Sequence, residues 1–227
     1  MRRLIFPIIL GLGGVAILLS LGIWQVQRLA WKEGVLAEIE ARIDAAPVAV
    51  PAAATEAVDE YRPVTVTGTL TGDEHHVLTS AEDLGPGYRN IAVLALPDDR
   101  RILVDLGYIA LDAKEVPRRA ADVTVTGHLL WPDEVDGWTP DPDAGRNIWF
   151  ARDVPAMAAS LETEEILVVM AQMSGGDFPV TPLPIDTSSI PNDHLNYAIT
   201  WFLLALVWAV MSGAFAWRMA RPSKDEA

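Results

Sequence analysis

Residues 195–217 read LNYAITWFLLALVWAVMSGAFAW and contain no Asp, Glu, Lys, Arg or His. An uncharged apolar run of this length can cross a bilayer core about 30 Å thick as a helix. A second such run, LIFPIILGLGGVAILLSLGIW, occupies residues 4–24. It is longer than the roughly 7–15 apolar residues of a secretory signal and has no small-residue cleavage site behind it, which favours an uncleaved anchor over a cleavable signal. Two transmembrane helices, 4–24 and 195–217, are therefore predicted.

The segment between the two apolar runs carries most of the charge. Residues 25–193 hold 29 Asp and Glu against 12 Lys and Arg, a net charge of −17 in a chain whose total is −14. Such acidity excludes a protein that binds the phosphate backbone, so no nucleic-acid partner is expected. The absence of cysteine excludes thiolate metal sites, covalent c-type haem attachment and disulfides.

Basic residues at the two ends of the chain orient the helices. They precede the first run and follow the second: Arg2, Arg3, Arg218, Arg221 and Lys224. The positive-inside rule then puts both termini in the cytoplasm, including a tail at 218–227, and the middle segment outside. Arg28 and Lys32 lie on the outer side and oppose this assignment. We expect a multi-pass protein, surrounded by membrane lipid, in the bacterial inner membrane with a periplasmic central domain, or in the mitochondrial inner membrane of a eukaryote.

The helical sequence pattern continues beyond the end of the first apolar run. Apolar residues recur at three- and four-residue spacings through residues 25–43, which predicts a helical extension of the first transmembrane helix. Residues 44–57 are rich in Ala and Pro and are typical of an extended linker. This linker opens a domain that we expect to occupy residues 44–193.

Alternating β-branched residues predict the main strands of this domain. The letters VTVTG occur twice, at Val64–Gly68 and Val123–Gly127, and predict two similar strands that each open one half of the domain. The segments Asn90–Leu96 and Arg101–Ala110 are joined by a Pro-Asp-Asp-Arg turn and predict a β-hairpin.

Weaker signals complete the predicted domain. Ile148–Phe150 and Ile166–Met170 are short strand candidates, and Val154–Leu161 between them predicts a helix with Asp153 as its N-cap. The predicted fold class is a membrane protein in which two terminal transmembrane α-helices flank an extracytoplasmic, antiparallel β-rich α+β domain.

The known signatures of catalysis are missing from the sequence. There is no G-x-S-x-G, H-E-x-x-H, P-loop or dinucleotide fingerprint, and Ser80, Ser160 and Ser174 stand in no catalytic motif. His75 and His76 are adjacent, so on a strand they point to opposite faces and chelate poorly; we interpret them as solvated loop histidines. No catalytic residue is predicted and the protein is not expected to be an enzyme, although an enzyme of the exported compartment remains a third hypothesis.

A cluster of ring side chains marks the entry to the second apolar run. His194, Tyr197 and Trp201 stand at positions i, i+3 and i+7, on one face of the helix that begins there. A neutral imidazole is a competent axial ligand for haem iron, and flanking aromatic rings suit a flat apolar macrocycle. The alternative is an interfacial histidine that caps the helix or bonds near the lipid headgroups, with Tyr197 and Trp201 as aromatic-belt residues. The residues alone leave both interpretations open.

Several motifs resemble the Surfeit locus protein 1 family of cytochrome c oxidase assembly factors, in matching order along the chain. The first is GIWQVQR followed by Trp31-Lys32, and the last is NDHLNYAITWF at Asn192–Phe202. Between them lie Tyr61–Gly68, Val123–Gly127, Trp138–Pro140, Asn147–Trp149 and Arg152–Ala158. One departure lies at Val104–Ile109 (VDLGYI), where the family usually has V-N-R-G-W-[VI]; the missing Arg puts any role of that strand in doubt.

The resemblance implies a non-enzymatic membrane chaperone of the respiratory chain. Its expected partners are cytochrome c oxidase subunit I and other oxidase subunits, together with the haem a synthesis machinery. The implied cofactor is haem a, bound transiently, with His194 as the ligand of the haem iron and Tyr197 and Trp201 beside it. The implied function is assistance in haem a insertion into subunit I. The alternative is a haem-independent scaffold or an accessory subunit stably bound to the oxidase.

Overall fold

A computed structural model of the chain describes residues 2–81, 83–176, 178–187 and 190–220. Contacts divide the molecule into two units, a helical unit of residues 1–38 and 188–227 and a β unit of residues 39–187. Part of the predicted cytoplasmic tail, residues 221–227 with Arg221 and Lys224, lies outside the described residues. The helices are α1 Arg2–Ile43, α2 Glu56–Asp59, α3 Val154–Leu161 and α4 His194–Ala220. The strands are β1 Pro63–Ala81, β2 Gly85–Ala95, β3 Arg101–Ala110, β4 Ala121–Leu129, β5 Ile148–Trp149 and β6 Leu167–Ser174.

Helices α1 and α4 both meet the length and hydropathy that a membrane span requires. At 1.5 Å per residue, the 42 residues of α1 extend about 63 Å, roughly twice the thickness of a bilayer core. Helix α1 runs without a break to Ile43, through the residues 25–43 that were predicted as a helical extension.

Small residues bring α1 and α4 into close contact within the helical unit. The indole Nε1 of Trp208 donates a hydrogen bond of 3.1 Å to the carbonyl of Gly11, and a Cβ added at Gly14 would collide with the same indole. On α4, Ala198 and Ala205 are buried two turns apart. Without a hydrophobic driving force in lipid, such close backbone approach is what van der Waals packing of helices needs.

The strands of the β unit form a sheet that closes on itself. Neighbours pair in the order β2-β3-β6-β4-β1, and β1 also pairs with β2, which completes a five-stranded ring. Closure is possible because β1 is 19 residues long and changes partner along its length. Its first half pairs with β4 and its second half with β2, with a bulge between Leu70 and Glu74. A closed ring removes most exposed strand edges.

Alternating side chains build one core inside the ring and a second outside it. The inner core takes residues from all five strands: Val64, Val66, Leu70, Ala92, Leu94, Ile102, Val104, Leu106, Val123, Val125, Leu129, Val168 and Met170. The outer core lies where α3 and β5 cover one side of the ring, and includes Val93, Leu103, Val169, Trp149 and Met157. Period-two alternation therefore puts apolar residues on both faces of β2, β3 and β6.

The fold class predicted from the sequence is confirmed, with two details that differ. The sheet is mostly antiparallel, but β6 pairs in parallel with β3 and β5 pairs in parallel with β1. These parallel pairs join segments that are far apart in sequence. No hairpin turn connects the paired strands, so no local sequence signal predicts the pairing.

The two VTVTG strands were expected to open separate halves of the domain. In the structure they pair with each other. Val66 faces Val125 in the β1–β4 ladder. Thr65 and Thr67 on the outer face bond to Thr126 and Thr124, at 3.1 and 2.9 Å between the hydroxyl oxygens. Identical alternation lets the strands match apolar to apolar and hydroxyl to hydroxyl in antiparallel register.

The remaining local predictions stand with small changes. The hairpin is β2–β3, with Leu94 opposite Ile102. Helix α3 spans Val154–Leu161, and the Asp153 carboxylate caps it by accepting from the Ala156 N–H at 3.0 Å. The 44–57 linker is not wholly irregular, because Val48 forms a parallel bridge to Val64 and α2 begins at Glu56.

Candidate functional site

The expected haem-ligand residue, His194, is the first residue of α4. The helix starts with the Tyr197 N–H donating to the Asp193 carbonyl at 3.1 Å. The side-chain oxygen of Asn192 is buried and has no hydrogen-bond partner in the described part of the chain, so it does not cap the helix. His194 is only partly buried, which leaves the imidazole reachable from outside the helix pair.

The imidazole of His194 is held from the neighbouring helix. Its Nδ1 lies 2.7 Å from Oε1 of Gln25, near the middle of α1. Gln25 is 8 % exposed, and a buried amide needs a hydrogen-bond partner to offset the loss of water. Because a Gln Oε1 can only accept, Nδ1 of His194 carries the proton, and the Nε2 of the neutral ring keeps its lone pair.

Tyr197 and Trp201 lie on the same face of α4 as His194, because the helix is continuous through all three positions. Tyr197 is 56 % exposed and Trp201 is partly buried. No ring contact among the three side chains is present in the described residues, so their stacking around a haem stays a prediction.

This arrangement can do the chemistry expected of a reversible axial ligand. A metal-bound histidine normally donates its second ring N–H to an oxygen that fixes its orientation, and Gln25 supplies that oxygen. The donor set therefore fits a haem iron. No cluster of three His, Cys, Asp or Glu able to hold a metal ion is found in the described residues.

The interpretation of His75 and His76 as solvated loop histidines is wrong. Both lie within β1, and His76 is buried. The two rings point to opposite faces, as adjacent strand residues must. His75 stacks on Trp149 with ring centroids 4.7 Å apart. The polar stretch from Thr71 to His76 lacks the apolar alternation of a strand, so the continuation of β1 through it could not be found from the sequence pattern.

His75 joins Asn147 and Ser160 in a hydrogen-bonded chain. Its Nδ1 lies 2.7 Å from Asn147 Oδ1, and its Nε2 lies 2.6 Å from Ser160 Oγ. The order serine, histidine and amide is similar in geometry to a nucleophilic triad. Ser160, however, lies in the last turn of α3, where outward carbonyls carry partial negative charge and oppose a developing oxyanion. The chain of bonds therefore holds α3 against β1.

On the opposite face of β1, Glu74 and His76 belong to a buried polar network. Arg118 binds the Glu74 carboxylate with two bonds of 2.6 Å, and Asn90 and His76 add bonds of 2.8 and 2.9 Å. Burial by itself would raise the pKa of Glu74, but the hydrogen bonds from His76, Arg118 and Asn90 outweigh it and lower the pKa to about 2. The network borders an open cavity of about 730 Å³ that Tyr88 and Lys114 also line.

The unusual VDLGYI strand segment carries a second buried charge cluster. Asp105 is fully buried, and its carboxylate lies 2.6 Å from Arg89 and 3.3 Å from Arg152. Its other oxygen accepts the Gly107 N–H at 3.0 Å. Leu106, which stands where the resembled family has Arg, packs in the inner core. The positive charge beside Asp105 therefore comes from Arg89 and Arg152.

The chain is similar to known proteins along most of its length. A model of the SURF1 family matches residues 12–206. Surfeit locus protein 1 of Xenopus tropicalis is 28% identical over 207 residues, covering 81% of this chain and 67% of the relative. Surfeit locus protein 1 of Homo sapiens is 27% identical over 210 residues, covering 82% and 69%. The SURF1-like protein of Rickettsia felis is 26% identical over 200 residues, covering 84% and 88%.

Proposed function

The chain belongs to the SURF1 family, and from that premise we propose that it is a membrane-anchored assembly factor for cytochrome c oxidase. Family membership supports an oxidase-assembly role in general. The finer proposal is that the protein holds haem a through His194 and assists its insertion into subunit I. The observation that carries it is the 2.7 Å bond from His194 Nδ1 to Gln25, which leaves Nε2 as a ligand atom.

Haem a is cargo in this proposal, not a resident cofactor. His194 would bind the iron, and Tyr197 and Trp201, on the same helix face, would lie along the macrocycle. One partly exposed imidazole as the only protein ligand gives an affinity for haem a that is low enough for release. Transfer to subunit I requires such release. The protein performs no bond chemistry on the haem.

Two cationic side chains on α1 could form ion pairs with the propionates of haem a. Lys32 and Arg28 follow Gln25 by two turns and one turn, and carry the sign that carboxylates need. The Lys32 ammonium donates to the Pro191 carbonyl just before α4, and Arg28 lies over the Trp31 ring at 3.8 Å. Such a role would explain why basic residues stand on the side of the span where the positive-inside rule disfavours them.

The proposed topology follows from the same reasoning. Two spans carry the β unit outside the cytoplasm, in the periplasm of a bacterium or the intermembrane space of a mitochondrion, with both termini inside. Oxidase subunit I and the haem a synthesis machinery would be partners in the inner membrane. Lipid would cover the apolar outer faces of α1 and α4, where residues such as Ile9, Leu12 and Leu203 are exposed.

A spectroscopic comparison tests the haem proposal. The full chain is purified in detergent from cells that make haem a, beside His194→Ala and, as a matched control, His128→Ala. His128 lies in the β unit and bonds the Ile43 carbonyl. We expect a haem a band in the wild type and in His128→Ala that is lost from His194→Ala. Equal spectra for wild type and His194→Ala would overturn the proposal.

The same preparation separates the haem-independent alternative. In cells without haem a synthesis, a scaffold or accessory subunit would still co-purify oxidase subunits. A carrier that delivers haem would lose or weaken that association. Co-purification of subunit I at the wild-type level without haem a, together with haem-free protein, would favour the scaffold.

A further inference from the structure

We propose that Gln25 is a positioning residue for the His194 ligand, one that selects the ring tautomer and thereby sets haem affinity and potential. This inference rests on the proposed haem function, but part of it can be tested without haem. Nothing in the sequence links the two positions, which are 169 residues apart and meet only because α1 and α4 pack together.

Burial of the Gln25 side chain carries a free-energy cost. Its side chain lies in the helical unit with 8 % of the residue exposed. A buried primary amide is destabilising unless it is hydrogen-bonded. A leucine would pack there without that cost, so the amide has a purpose that packing alone does not supply. Its described partner is the ring of His194.

The direction of the hydrogen bond between Gln25 and His194 selects the tautomer of the imidazole. Oxygen Oε1 of Gln25 is an acceptor, so the proton of the neutral imidazole stays on Nδ1. In water a neutral histidine ring exchanges between two tautomers, and only the one with a bare Nε2 offers that atom to iron. The bond to Gln25 therefore removes both the tautomeric and part of the rotational freedom of the ligand before haem arrives.

The same hydrogen bond would also affect how strongly the His194 nitrogen donates to iron. An oxygen that accepts the second ring proton raises the electron density on the coordinating nitrogen. A neutral amide does so less than a carboxylate would. Gln25 thus makes the histidine a moderate donor, in keeping with cargo that must leave.

The test uses the full chain in detergent with three substitutions. Gln25→Leu keeps the size of the side chain and removes the acceptor, while Gln25→Glu keeps an acceptor and adds charge. Gln27→Leu makes the same change two residues later on the exposed side of α1 and serves as the matched control. Circular dichroism and gel filtration check that each variant is folded.

Without haem, ¹⁵N spectra of histidine-labelled protein report the tautomer directly. The chain has only 4 histidines, and His194→Ala assigns the resonance. We expect the Nδ1–H form in wild type and in Gln27→Leu, and a mixture of tautomers in Gln25→Leu. A wild-type tautomer in Gln25→Leu would overturn the proposed role.

With haem a, the binding constant and the midpoint potential give the second readout. We expect Gln25→Leu to bind about 10–100-fold more weakly, and Gln25→Glu to retain binding with a lower potential. A packing role alone would leave haem a binding by the size-matched Gln25→Leu unchanged, and that result would also overturn the inference. Failure of wild type to bind haem, with the tautomer changing as expected, would instead reject the proposed haem function and leave the Gln25–His194 coupling standing.

Discussion

The carboxylate of Asp105 is completely buried and lies 2.6 Å from the guanidinium of Arg89. Arg152 approaches the same oxygen from beside α3 at 3.3 Å. Two cations therefore converge on one buried anion at the edge of the outer core. A buried ion pair is costly to assemble but more costly to break, because the partner left behind is a buried, unpaired charge.

Replacing Asp105 should therefore destabilise the β unit strongly. We expect Asp105→Ala to lower the free energy of unfolding by about 3–5 kcal/mol, since Arg89 and Arg152 would lose their common partner. Denaturant unfolding of the full chain, followed by tryptophan fluorescence, measures the change. Asp112→Ala is the control, because Asp112 is an exposed carboxylate in the turn after β3. A loss under about 1 kcal/mol for Asp105→Ala would contradict this account.

Acid should destabilise the protein through Glu74. The pKa of Glu74 is lowered to about 2 in the fold from an ordinary value of 4.5, so the folded state favours the ionised form. Its contribution is fully present above pH 4.5 and is lost as the pH falls toward 2. We expect Glu74→Gln to be less stable near neutral pH but to lose less further stability between about pH 5 and pH 3, measured by denaturant midpoints across that range. Parallel midpoint curves for the two proteins would argue against the network.

The neutral form of His75 should produce a second pH effect in a different window. Burial, which outweighs the bond to Asn147, lowers the pKa of His75 from its ordinary 6.5. Below pH 6.5 the unfolded chain takes up a proton that the folded chain resists, so stability falls as the pH drops. His75→Gln cannot be protonated there, and we expect it to show a smaller decline between about pH 7 and pH 5. The same slope in both proteins would show that other groups control this range.

The helix pair offers a prediction with an internal control. A side chain at position 14 must displace the Trp208 indole, whereas a Cβ at Gly13 meets nothing within 4 Å. Gly14→Leu should therefore weaken α1–α4 packing by about 1–3 kcal/mol, and Gly13→Leu should not.

The absence of native cysteine makes that packing measurable. Gly11→Cys with Ser212→Cys puts thiols on facing positions, since a Cβ at Gly11 lies 2.9 Å from that of Ser212. Oxidative crosslinking should be efficient in this pair and in the pair carrying Gly13→Leu. It should drop sharply when Gly14→Leu is added. Equal yields in the two backgrounds would mean that Trp208 moves aside without cost.

Single cysteines also test the proposed topology. In intact bacterial cells, a membrane-impermeant maleimide should label Asp112→Cys on the β unit. Ser223→Cys in the terminal tail should react only after the cells are lysed. Labelling of the tail in intact cells would place that end outside and reverse the orientation inferred from the basic flanks.

Local patterns in the sequence were sufficient for much of the fold. Three features depend on residues that are close together in the chain, so they could be predicted from local patterns. They are the two apolar runs, the β2–β3 hairpin and the Asp153 cap of α3. His194, Tyr197 and Trp201 could likewise be assigned to one face of a helix from their spacing alone, because helical geometry is local.

The tertiary structure decided which residues far apart in the chain contact each other. Three such contacts join residues 42 to 169 positions apart in the chain. They are Val66 with Val125, His76 with Arg118, and Gln25 with His194. Periodicity gives the face on which a residue stands but not the element that covers that face. The sequence by itself therefore determined most of the helices and strands, the acidic domain and the candidate ligand residue. Only packing determined that the sheet closes into a ring and that the imidazole of His194 bonds to Gln25, because hydrogen bonds and burial depend on distance in space.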